Sequence, residues 1–376
     1  MRVGVYRLAM AHPGDVSGLS QLISDATIDP ATIVASIGKT EGNGGANDFT
    51  RALATQSVAG LLAQALGITP AEAADRVALA WSGGCEGVIS PHMTVFTATV
   101  EDQARTGAAA GGQAGGIEGR LAISVQRTRH FLPEEVGRTA EVTEVAAAVS
   151  RALDALDVSP DSVHYVQVKG PLLTPAALAD AAARGAAVVT TDPNRSKAYA
   201  RGATALGVAV GLGEVAADLV TDEVIATDLG LYSSVANTSA GGELTDCEVI
   251  VFANSARATG PYRVGHAILT DVVDTDGVRG ALRSAGLTFD ADPGPGERAL
   301  IAAVFAKAEA PPAGLLHGYR TTMLSDADIN YERHARAALG AVIASVTGDP
   351  RIFVSGGTEH QAPPGHAPIA AIVRVE

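Results

Sequence analysis

The sequence predicts a mixed α/β fold made of three structurally similar units around a pseudo-threefold axis. Two observations carry that prediction. Short β-branched runs alternate with Ala-rich stretches of helical spacing along the chain. One order of residues (lysine, then arginine, then serine) also recurs three times. Each round opens with a β-rich run ending in lysine: IVASIGK at Lys39, VHYVQVK at Lys169 and LIAAVFAK at Lys307. A helical stretch with an arginine follows: DFTRALATQSVAGLL with Arg51, AYARGATALGVAVGL with Arg201 and ERHARAALGAVIASV with Arg336. An apolar strand then runs into a serine and small residues: LAWSGG at Ser82, VANTSAGG at Ser239 and IFVSGG at Ser355. The lysines and serines lie 43, 70 and 48 residues apart. Units that share one core bring any thrice-repeated residue to the axis three times.

The elements follow in order. Residues 1–7 alternate as a strand does. Residues 142–156 place Val142, Val145, Val149, Leu153 and Leu156 on one helical stripe. Residues 163–168 and 351–354 read as strands, and 176–184 and 332–345 as helices. Two stretches lack apolar periodicity and read as linkers: TGAAAGGQAGGIEG (106–119) and DADPGPG (290–296). The units are placed at 1–105, 120–250 and 251–376, with 106–119 between the first two.

Composition excludes several classes of function. At 47% hydrophobic, the 376-residue chain is too apolar to be disordered. A net charge of −14 argues against a nucleic-acid partner, because no basic surface is available to displace counterions from phosphates. No run of ~18 apolar residues is present, so no membrane partner is expected. Cys85 and Cys247 cannot make a disulfide framework, and no Cys/His cluster has zinc spacing. A cytoplasmic location is expected from these features and from the absence of a signal-peptide core.

The chemistry rests on the repeated trio. A serine hydroxyl needs a base, and lysine serves as one when burial and neighbouring positive charges lower its pKa. Three arginines would offer forks to carbonyl oxygens. Backbone N–H groups beside Ser82, Ser239 and Ser355 would approach a ligand closely, because the side chains there are small. Such a site fits a small ring with three carbonyls. Taken singly, a Ser-Gly-Gly is usually a turn and a strand-end lysine is usually solvated. Their joint repetition is what points to a site. Glu309 and the irregular stretch TEHQAPPGH (358–366) are compatible with a hard cation, although a Pro-rich surface loop reads the same way.

These residues resemble the cyanuric acid hydrolase/barbiturase family. The carriers include GKTEGNGGANDFTR (38–51), WSGGCEGVISPH (81–92), FLPEEVGR (131–138), YVQVKGPLLTP (165–175), TTDPNRSKAYARGATALG (190–207), FAKAEA (305–310), TMLSDADIN (322–330), RHARA (333–337) and VSGGTEHQAPPG (354–365). The resemblance implies three units around a β-barrel-like core with helices outside. It implies hydrolytic opening of a small cyclic ureide, cyanuric acid, to carboxybiuret, which then loses CO2 to leave biuret. Opening of barbituric acid to ureidomalonate is the alternative within the family. A non-catalytic binder of small cyclic metabolites is the alternative outside it.

Carried over residue by residue, Ser239 resembles the nucleophile and Lys169 its general base. Arg51, Ser82, Gly83, Arg201, Ala240, Arg336, Ser355 and Gly356 resemble substrate binders, and Lys39 and Lys307 belong to the other two dyads. Glu309, Thr358, Gln361, Ala362, Pro363 and His366 resemble a structural divalent-metal site (Mg or Ca), with no cofactor for catalysis. Departures from the family pattern fall at His366, which would have to contribute a carbonyl, at Cys85, where a threonine is expected, and at Glu332. The last is charged where a smaller neutral residue is expected, near a segment tied to substrate choice. A homotetramer is the assembly implied.

Overall fold

The computed structural model describes residues 1–99, 119–356 and 361–376. Most of the 106–119 stretch, and Thr358, lie outside the described residues. The first unit runs β1 (Arg2–Ala9), α1 (Ser17–Ser24), β2 (Ile33–Thr40), α2 (Phe49–Leu66), α3 (Pro70–Arg76), β3 (Ala78–Gly83) and β4 (His92–Thr99). The second runs β5 (Arg120–Arg127), α4 (Thr139–Leu156), β6 (Val163–Pro171), α5 (Pro175–Arg184), α6 (Pro193–Gly211), β7 (Ala236–Gly241) and β8 (Glu248–Ser255). The third runs β9 (Tyr262–Leu269), α7 (Thr275–Ser284), α8 (Pro295–Arg298), β10 (Ile301–Ala308), the hairpin β11 (Leu315–Leu316) and β12 (Tyr319–Arg320), then α9 (Tyr331–Thr347), β13 (Phe353–Gly356) and β14 (Ala367–Arg374). No single helix among the described residues is long and apolar enough to cross a membrane.

Each unit forms a four-stranded sheet of the same order, with its first strand beside the last, then the second, then the third. The second and third strands are parallel and the other pairs antiparallel. A parallel pair needs a long crossover, and α2, α6 and α9 supply it. Their starts are set by side-chain caps: Asp48 accepts from Thr50 N–H, Asp192 from Asn194 N–H and Asn330 from Glu332 N–H. Gly67 and Gly348 close α2 and α9 in the left-handed conformation.

The outer face of each sheet packs on its own helices, giving three separate apolar clusters. The inner faces meet in one shared cluster containing Ile37 and Phe96 from the first unit, Tyr165 and Phe252 from the second, and Phe305 and Phe353 from the third. The Phe305 ring stacks on Tyr165 at 5.0 Å between centroids and touches Phe96, Phe252 and Phe353 at 6.1–6.2 Å. Among the described residues no strand of one sheet pairs with a strand of another. The expected barrel-like core is therefore three sheets packed by side chains and not a closed barrel.

Three expectations about boundaries change. The division at 250/251 cuts through β8, which pairs with β5 as far as Ser255. The units part instead between Ser255 and Tyr262, and Asn254 bonds both backbone groups of Val264 across that join. The 290–296 stretch lies inside the third unit, because β9 before it pairs with β14 after it. The expected strand at 351–354 begins at Phe353; Arg351 turns its guanidinium to Asp349.

Phe305 touches rings of all three units, so Phe305→Ala is expected to lower stability by about 3–5 kcal/mol. Chemical denaturation checks this; a loss below about 1 kcal/mol would mean that the sheets do not share a core.

Candidate active site

The parallel strand pairs put each repeated lysine directly opposite its serine. The register partners are Lys39 and Ser82, Lys169 and Ser239, and Lys307 and Ser355. All three lysines are buried, with 0%, 2% and 1% exposure. A buried amine needs acceptors, and here these come from the neighbouring unit. Lys39 Nζ donates to the Val354 carbonyl at 2.9 Å, Lys169 Nζ to the Trp81 carbonyl at 3.4 Å, and Lys307 Nζ to the Thr238 carbonyl. Each acceptor is the residue just before the next unit's serine. The three amines therefore close a ring around the axis.

The arginines enter from the crossover helices. Arg51 on α2, Arg201 on α6 and Arg336 on α9 are all buried. A cavity of about 390 Å3, counted to its open mouth, is lined by these arginines, the three serines, Lys169, Lys307, Gly83, Ala240 and Gly356. Of the expected group, Lys39 stands behind the wall, its Nζ 3.1 Å from Ser82 Oγ. Gly44, Trp81, Lys197 and Glu332 also line the cavity. Glu332, expected as a specificity residue, lies between Arg201 (3.5 Å) and Arg336 (3.7 Å).

The three serines are not equivalent. Ser82 Oγ receives Lys39, and Ser355 Oγ donates to Asn237 Oδ1 at 2.9 Å. Ser82 and Ser355 are buried, whereas Ser239 is partly exposed in the cavity. The residue after each serine is set by its neighbours. A Cβ on Gly83 would lie 1.8 Å from Asp48 Oδ2, and one on Gly356 would lie 2.6 Å from Arg336 Nη1. Only the second unit has room for a side chain there, and Ala240 occupies it.

Sequence reasoning missed the acids. A glutamate stands four residues after each serine: Glu86, Glu243 and Glu359. That spacing was the available signal. Glu86 makes a two-point contact with Arg336, at 2.6 Å to Nη2 and 2.9 Å to Nε. Glu243 Oε1 lies 3.0 Å from Lys169 Nζ and 3.3 Å from Arg51 Nε. Glu359 is outside the described residues.

The acids change the electrostatic expectation. Burial is the main force lowering Lys39, to about 8, with Arg336 adding to it and Glu86 opposing it. Burial lowers Lys169 too; Glu243 opposes that and Arg51 reinforces it. Glu243 is held at about 2, because Lys169 and Arg51 together outweigh its own burial. Crowding of positive groups is thus secondary to burial and is partly cancelled by carboxylates.

The expected metal residues gather at one end of the third sheet. Glu309, just past β10, is buried and accepts the Gly365 N–H at 3.1 Å. The Gln361 side chain braces another segment, donating to the Asp228 and Leu231 carbonyls and accepting from Ala226 N–H. Ala362 is buried, and the Pro363 carbonyl receives the His366 N–H at 2.9 Å. Among the described residues no three His, Cys, Asp or Glu side chains cluster as metal ligands. A cation here would rest on one carboxylate and main-chain carbonyls, a donor set suited to a hard ion.

Residues 4–374 match the model of the amidohydrolase ring-opening protein family. The chain belongs to that family. It is 60% identical over 375 residues to a cyclic amide hydrolase of Azorhizobium caulinodans, covering 100% of both chains. It is 47% identical to a cyanuric acid amidohydrolase of Enterobacter cloacae, again over 100% of both. A solved structure of a cyanuric acid hydrolase, described as an innovation by structural concatenation, superposes with a TM-score of 0.91 at 47% identity, covering 99% of each chain. A barbiturase is a further relative. The concatenation named for that structure agrees with the threefold sheet repeat of this family member.

The wall behind Lys169 holds a fully buried acid. Glu141 accepts the Gly137 N–H at 2.7 Å and lies near the Cβ position of Gly170. Burial raises its carboxyl from 4.5 to about 8. The folded state then holds a proton that the unfolded state loses, so this group subtracts stability as pH rises from 4.5 to about 8. Glu141→Gln is expected to raise the Tm at pH 8 and leave it nearly unchanged at pH 4. Parallel thermal melts check this.

Proposed function

We propose that this protein opens the ring of cyanuric acid by amide hydrolysis, with Ser239 as nucleophile and Lys169 as its base. The observation that carries the reading is the convergence of three serines, three arginines, Lys169 and Lys307 on one small open cavity, with Lys39 just behind its wall at Ser82. A ring with three carbonyls presents the same face to each unit, as the site does. Ser239 is the serine partly exposed in the cavity, whereas Ser82 and Ser355 are buried and engaged by Lys39 and Asn237.

In this mechanism Ser239 Oγ attacks a ring carbonyl carbon as its proton passes to neutral Lys169. The oxyanion is held by main-chain N–H groups beside the serines and by arginine forks. Collapse breaks the C–N bond, and the Lys169 ammonium returns the proton to the leaving nitrogen. Water, deprotonated by Lys169, then attacks the acyl-enzyme; Ser239 regains its proton and carboxybiuret leaves. That product loses CO2 to give biuret. Glu332, an acceptor-only carboxylate on the cavity wall, suits a ring N–H and favours cyanuric acid over barbituric acid, which has a CH2 at one ring position.

Glu309, with carbonyls of 361–363 and the turn at His366, would hold a divalent cation. Its contribution would be structural, fixing residues 361–366 against the end of β10, and no step of the reaction passes through it.

Ser239→Ala is expected to lower kcat by about 10^4-fold or more while ring binding stays measurable by calorimetry. Ser82→Ala should mainly raise KM. Full activity of the first variant would dismiss Ser239 as nucleophile. Binding of the ring without release of biuret by the unmodified protein would leave only a binding role, and turnover confined to barbituric acid would reverse the substrate choice. For the cation, chelator is expected to lower the Tm of the wild type but not of Glu309→Gln; equal sensitivity of the two would exclude Glu309 as a ligand.

A further inference from the structure

We propose that Glu243 controls the Lys169–Ser239 pair, holding Lys169 in the empty site and freeing it for Ser239 by moving onto the Nε edge of Arg51 when a ring enters. The inference deepens the function proposed above and rests on Lys169 being the base. One oxygen, Glu243 Oε1, serves both partners, at 3.0 Å from Lys169 Nζ and 3.3 Å from Arg51 Nε. The Arg51 Nε–H is buried and makes no hydrogen bond among the described residues, because that oxygen lies off its axis. A small shift of the carboxylate satisfies this donor and leaves Lys169.

The first unit shows the shifted arrangement. Its equivalent acid, Glu86, spends both oxygens on the Nε and Nη2 of Arg336, and its lysine reaches serine, with Lys39 Nζ at 3.1 Å from Ser82 Oγ. Glu243 also borders a second, open hollow, shared with Leu79, Arg127 and Glu248, so it is not enclosed on that side. Ring atoms entering the cavity compete with Glu243 for Lys169, and Arg51 offers the displaced carboxylate a waiting donor. The arginine gains as well. Once its Nε edge is filled, Arg51 has a carboxylate partner of the kind Arg336 already has in Glu86.

The charged groups facing Lys169 are Glu243 after β7, Arg51 on α2 and Glu248 on β8. Lys307 and Arg336 line the same cavity. Removing the negative charge of Glu243 makes Lys169 easier to deprotonate. For Glu243→Gln the acid limb of kcat/KM should therefore move to lower pH by about one to three units. Glu86→Gln removes the same charge from the site that does not touch Lys169. It should raise KM about tenfold and leave the limb where it is.

An unmoved limb in Glu243→Gln, with Lys169→Ala inactive, would overturn the control role and keep Lys169 as base. An active Lys169→Ala would overturn the base assignment, and this inference with it. Should Glu243→Gln not fold, a structure of the wild type with an unreactive ring analogue decides: Glu243 on Arg51 Nε supports the proposal, and Glu243 still on Lys169 overturns it.

Discussion

The burial of three amines, each held by a main-chain carbonyl of the next unit, is the constraint from which the site follows. An ammonium removed from water without acceptors would cost more than a fold of this size can spare. Lys39, Lys169 and Lys307 each take one main-chain acceptor from a strand that belongs to another unit, so their full set of partners needs all three sheets. The active centre and the threefold core are thus one structure. The aromatic cluster brings the inner faces together, and the strand ends just beyond it deliver the lysines to the axis.

Threefold architecture does not produce threefold chemistry. Asn237 lies two residues before Ser239, where the other units have Ala80 and Phe353, and it takes up the hydroxyl of Ser355. Glu248 faces Lys169 across the antiparallel ladder where His92 faces Lys39. Glu248 also caps the Leu79 N–H of the neighbouring unit and is paired with Arg127. Small substitutions of this kind leave the strand order of the sheets unchanged while giving each lysine different company. The middle pair is the one whose serine is partly exposed in the cavity and whose amine is balanced between a carboxylate and a carbonyl.

The cavity's charge balance carries the same lesson. A site with only lysines and arginines would repel itself and would hold any anion indiscriminately. Glu86, Glu243 and Glu332 offset the cations pair by pair. What remains for a ligand is a set of directed donors whose charge is partly offset. Directed donors suit a flat, neutral or weakly acidic ring, for which position matters more than total charge.

Much of this was legible in the residues. The lysine–arginine–serine order, the alternation of strand and crossover helix, and the oddity of Ser-Ala-Gly at 239 all lie in the linear text, because periodicity and local propensity are properties of short segments. The glutamates at the fourth place after each serine were equally visible, but a glutamate in a loop is solvated by default, and nothing local says that Glu243 is paired with Lys169. Tertiary structure alone decided the rest. Strand register set Lys169 opposite Ser239 although their spacing matches neither of the other pairs. Pairing with β5, not composition, extended β8 to Ser255, and the three sheets meet through side chains and not through a shared strand ladder. Burial, which depends on every neighbour at once, determined which amines are pushed toward neutrality and which carboxylates hold them back.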